Sequence, residues 1–96
     1  MTFEQFTLSL QNNSPPKEIN PLLVALWYDA KGDWESSHSI AQDIETKDGA
    51  LIHAYLHRKE GDIWNADYWY RNAGRKRPDI PLKEEWNSLV KEFISK

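Results

Sequence analysis

The stretch HAYLHRKEGDIWNADYWYRNAG, residues 53–74, decides the fold. Glycine enters the left-handed conformation that closes a helix at no steric cost, and an aspartate directly after it can cap the helix that follows. Gly61-Asp62 therefore predicts a sharp corner between two helices. Lys31-Gly32-Asp33 carries the same grammar. With Gly32 and Gly61 in register, an offset of 29 residues, Ala25 falls on Ala54, Tyr28 on His57, Trp34 on Ile63 and Ile40 on Trp69. The chain holds a degenerate internal repeat of helical hairpins, expected over 21–46 and 49–74.

Outward from the hairpins, Phe3, Phe6 and Leu10 share one side of an N-terminal helix expected over 1–12. Its opening is a capping box, Thr2 with Gln5. The segment QNNSPPK ends it, and Asn20-Pro21 restarts the chain as a cap followed by a proline at the first helical position. After Gly74, Pro78 and Pro81 exclude a continuous helix. Leu82, Trp86, Leu89, Val90 and Phe93 then form the apolar stripe of a final helix over 81–95, with the open end of the second hairpin as its expected partner. No bounded run alternates apolar and polar residues. The fold class expected is all-α: two stacked antiparallel helical hairpins with N- and C-terminal capping helices, in one domain.

Ninety-six residues suffice for a single core, and five Trp, four Tyr and three Phe supply large groups to fill it. The chain has no cysteine, hence neither a disulfide framework nor a thiolate metal site. No segment has a basic-then-apolar leader pattern or a membrane-spanning length, so a soluble cytoplasmic protein with no membrane partner is expected. The net charge of −3 is uneven: residues 1–50 carry three lysines against eight acids, residues 51–96 nine basic residues against seven.

The stretch at 53–74 resembles a tetratricopeptide repeat. The family's small residue of the first helix falls on Ala54, its interhelical glycine on Gly61, and its small residue of the second helix on Ala66. Its aromatic falls on Tyr70, its second alanine on Ala73 and its closing proline on Pro78. NADYWYRNAG is equally similar to the related SEL-type repeats, and the chain resembles small bacterial proteins of this length carrying DAKGDW and HAYLHRKEGD, a likeness that implies no activity. The first hairpin departs from the pattern, with Ser37 at the alanine position and Ala41 at the aromatic one. The physical content is independent of the family: alanines where helices cross closely, rings wedged beyond them.

The resemblance implies a groove lined by the first helix of each repeat. The register places Tyr55, Arg58 and Lys59 there, with Leu26 and Asp29 from the first hairpin, a surface suited to an acidic protein or peptide partner. The family's carboxylate-clamp residues are not reproduced, so no clamp is carried over. The leading expectation is a small interaction module of this kind.

The alternative is a metal- or small-ligand-binding protein. His53 and His57 lie four apart on one helix face, and a stacked repeat places His38 against that helix. Three imidazoles with Glu60, Asp29 or Asp33 nearby have the composition of a zinc site. The competing expectation is structural, since in the repeat's register His53 and His57 stand at partly buried positions where ring nitrogens bond to neighbours. Arg71, Arg75, Lys76 and Arg77 are expected to form a solvated loop, Arg71 pairing with Asp67, rather than a nucleic-acid surface. Ser36-Ser37-His38-Ser39 lacks a nucleophile elbow or oxyanion loop, and no phosphate-cradling glycine run exists, so no catalytic residues are assigned.

Overall fold

Both Gly-Asp corners form. Gly32 and Gly61 take φ values of 85° and 89°, and the chain returns through matched bonds 29 residues apart: the Asp33 amide donates to the Tyr28 carbonyl at 2.9 Å, the Asp62 amide to the His57 carbonyl at 2.9 Å. Each aspartate then caps the next helix, accepting from the amides of Ser36 and Asn65.

The computed structural model describes Met1–Lys96 and contains six helices and no strand. They are α1 Phe3–Ser9, α2 Pro21–Ala30, α3 Trp34–Asp43, α4 Lys47–Lys59, α5 Ile63–Asn72 and α6 Leu82–Ile94. Helices α2 and α3 form the first hairpin, α4 and α5 the second, and the two stack through α3 and α2 against α4. Helix α6 lies across α1, α2 and α4. The crossing points are where small residues were expected: Ala25, Ala54 and Ala66 are fully buried, with Tyr70 beside them. Ser37, standing at an alanine position, is also fully buried, and its hydroxyl donates to the Ala25 carbonyl at 2.6 Å. That bond lets a polar atom occupy a helix crossing without an unmet hydrogen-bonding group.

Two of the boundaries that differ from the sequence reading have a side-chain cause. The N-terminal helix stops at Ser9 rather than continuing to 12, because the Ser9 hydroxyl bonds back to the Phe6 carbonyl and accepts the indole N–H of Trp27 at 3.2 Å. The fourth helix starts at Lys47 rather than 49, since the Thr46 hydroxyl caps it through the amide of Gly49 at 3.1 Å. Glycine is required there for space: a Cβ at 49 would stand 2.1 Å from the Ile44 carbonyl oxygen.

The final helix corrects a larger expectation. Instead of closing the open end of the second hairpin, α6 covers the layer made by α2 and α4. The Trp86 indole donates to the Leu26 carbonyl at 3.0 Å, and its ring packs at 6.5 Å from Phe3 and 6.0 Å from Phe6. Trp86, Leu89, Val90 and Phe93 are buried, each contributing about 1.5–3 kcal/mol.

Helix α6 narrows the groove expected between the first helices of the hairpins to a cleft of about 350 Å³ that Asp29, Tyr55 and Lys59 line together with Leu82, Lys83 and Trp86. Leu26, Asp29 and Tyr55 are at most 3% exposed. The two cations assigned to the groove serve internal carboxylates. Lys59 Nζ lies 2.8 Å from Asp29 Oδ1, whose other oxygen accepts the Tyr55 hydroxyl at 3.0 Å. Arg58 Nη1 lies 2.7 Å from Glu85 Oε1, whose other oxygen accepts the Tyr70 hydroxyl at 2.6 Å, and Arg58 also donates to the Ile80 carbonyl. Burial next to a carboxylate raises both phenol pKa values well above the ordinary tyrosine range. These parallel networks tie α4 to α2 on one side and to α5 and α6 on the other. They exist because two buried carboxylates need partners, and a cation with a phenol satisfies each.

Candidate metal centre

On the opposite side of α4, α3 and α5 flank the row that carries His53 and His57. His38 reaches across from α3, so the three imidazoles do converge. His38 Nε2 and His53 Nε2 are 2.9 Å apart, one donating to the other. With His57 included, one ring nitrogen from each residue lies within 4.8 Å of the others.

Two tryptophans wall the cluster. Trp34 stacks on His38 with centroids 4.8 Å apart and planes 12° from parallel, and its indole donates to the Leu56 carbonyl at 3.0 Å. Trp69 stacks on His53 at 4.1 Å and 15°. His53 is buried, while His38 and His57 are half-buried. Burial, reinforced by the neighbouring imidazoles, holds His53 down to about 4 and lowers His38 as well; for His38, Glu60 pulls weakly the other way. Near neutral pH these two rings are therefore uncharged and keep lone pairs, the form in which imidazole binds a metal.

Of the carboxylates considered in the sequence, only Glu60 meets a histidine: its Oε1 lies 2.6 Å from His57 Nδ1. That bond holds a proton on Nδ1 and orients the ring, as the carboxylate partners of metal-binding histidines do. Asp29 is occupied in the core with Lys59 and Tyr55, and Asp33 caps α3. Asp62 lies within 4.8 Å of the His57 and Glu60 ligand atoms but is bonded to Asn65 as the cap of α5.

A tetrahedral zinc with nitrogens at about 2.0–2.1 Å holds them about 3.3 Å from one another. The His38–His53 pair must open by a few tenths of an ångström and His57 must swing inward, both within reach of side-chain rotation. No protein group stands ready as a fourth ligand. The residues thus fit a three-histidine centre whose last position is left to water or a small ligand.

Arg75, Lys76 and Arg77 lie in an exposed loop, as expected, and Arg71 is exposed at the end of α5, but the pairing differs. Asp67 is taken by Arg77 at 2.8 Å, not by Arg71. Arg75 pairs with Glu92, and neither Arg71 nor Lys76 has an ionic partner. Trp34 and Trp69 enter the sequence reading as register matches, to Ile63 and Ile40, whereas both wall the imidazoles. The spacing of Trp34 to His38, one helical turn, was the available signal for the first; nothing in the sequence pairs Trp69 with His53.

Comparisons with protein-family models, with curated proteins and with solved structures find no match to this chain.

Proposed function

We propose that this protein binds a divalent transition metal of the zinc type through His38, His53 and His57, with Glu60 orienting His57. The observation that supports this most is the convergence of three imidazoles from two hairpins onto one point between aromatic walls, with His38 and His53 kept neutral by burial. A bound ion would replace the proton shared by His38 and His53 and would clamp the first hairpin to the second. Three neutral ligands leave the ion its full charge and an open position, which suits a site that takes up a water or small anion.

The test is elemental analysis of protein purified without added chelator, followed by thermal melts with and without chelation. One metal ion per chain and a lower melting temperature after stripping are expected, since a ligand that binds only the folded state at about one hundred times its Kd stabilises by about 2.7 kcal/mol. Absence of metal together with melts that ignore zinc would dispose of the proposal.

A further inference from the structure

Helix α5 turns its outer face to solvent, and that face is unusual. Trp64 is 76% exposed, the most exposed of the large apolar side chains, and Tyr68, one turn later, is 44% exposed. Their rings are stacked with centroids 6.5 Å apart and planes 14° from parallel. Another turn on stands Arg71, which has no ionic or hydrogen-bonding partner and continues the same helical line. Beyond it the chain bends at Gly74, and Arg71, Arg75, Lys76 and Arg77 line a cleft of about 380 Å³ with Tyr70 and Asp67. Residues 68–77 hold four cations and no acid, and Asp67 is already paired with Arg77.

We propose that this strip, Trp64, Tyr68, Arg71 and the adjoining cationic cleft, docks a short single strand of nucleic acid. Two parallel exposed rings in line offer faces to successive bases irrespective of sequence, and the unpaired Arg71 and Lys76 offer charge to the phosphates that follow. An acidic peptide would use the cations but has no need of a stacked aromatic pair, which is why the strand fits better. The short cluster and the acidic balance of the remaining chain limit the site to a few nucleotides and exclude duplex-scale binding. None of the strip's side chains belongs to the histidine cluster, so the inference stands apart from the metal proposal.

The experiment is fluorescence anisotropy of a short fluorescein-labelled oligothymidylate titrated with the full chain at low salt. A saturable rise is expected, weakening with salt along a log–log slope of about −1.4 if two phosphates are neutralised. Trp64→Ala should weaken binding about tenfold or more, as should the pair Arg71→Glu and Lys76→Glu, with the helical circular dichroism unchanged because these side chains are exposed and make no hydrogen bond or ion pair. No anisotropy change, or binding indifferent to Trp64→Ala, overturns the proposal. Displacement of the strand by polyglutamate at equal charge concentration would overturn it too, reassigning the face to acidic protein segments.

Discussion

Acid should loosen this fold through His53, and the size of the effect follows from its surroundings. The ring lies between Trp69 and His57, bonded to His38, and its pKa is held down from 6.5 to about 4. In the unfolded chain it takes up a proton as pH falls through about 6.5, whereas the folded protein resists until about 4. Between those values the unfolded state binds more protons, so stability declines as pH drops. The stabilising contribution is complete above pH 6.5 and gone near 4. At about 1.36 kcal/mol per unit the whole window is worth about 3.4 kcal/mol, and solvent entering between α3 and α5 screens this to about 2 kcal/mol. His38 shifts in the same direction and titrates jointly with its partner.

The assay is urea unfolding, followed by tryptophan fluorescence in the presence of a chelator, from about pH 7 down to about pH 4.5, on the natural chain and on His53→Gln. Carboxylates held low by their partners, such as Asp33, Asp62 and Glu92, act equally in both proteins and cancel in the difference. The natural chain should lose about 2 kcal/mol more than the variant over this range. Equal losses would refute the claim that His53 is kept neutral by burial and by the other imidazoles.

Glu85→Ala leaves the Arg58 guanidinium and the Tyr70 hydroxyl without their partner and should cost about 3 kcal/mol in urea unfolding. A loss under about 1 kcal/mol would mean that the pair is solvated rather than buried. For the same reason Arg58→Glu, which sets two carboxylates together, should lower the melting temperature sharply instead of acting as a surface change. Gly49→Ala should destabilise by about 2 kcal/mol despite alanine's better helix propensity, because its methyl meets the Ile44 carbonyl; a neutral or raised melting temperature would show that the turn yields.

The corners, caps and crossing alanines were legible because each depends on a few neighbours: Gly61 with Asp62, Thr2 with Gln5, Asn20 with Pro21. The location of α6 was not, since an amphipathic stripe declares that a face will be buried without saying against what. The choice between the end of the stack and the layer of α2 and α4 rests on contacts of long sequence separation, Trp86 with Leu26 and Glu85 with Arg58. That one placement buries Leu26, Asp29 and Tyr55 and turns Arg58 and Lys59 toward internal carboxylates. The histidine convergence was accessible as a possibility, because repeat stacking puts α3 beside α4. The stacking of Trp69 on His53 depends on how deeply α5 seats in the hairpin, which residue order does not encode.

The proposed centre is tested most directly by zinc-edge X-ray absorption on the protein loaded with one equivalent of zinc. The fine structure should show three imidazole nitrogens at about 2.0–2.1 Å with one further light ligand, and the imidazole scattering should diminish in His38→Ala and His53→Ala. A shell made only of oxygens, or a spectrum unchanged by both substitutions, would contradict the assignment of the three histidines as the metal's ligands.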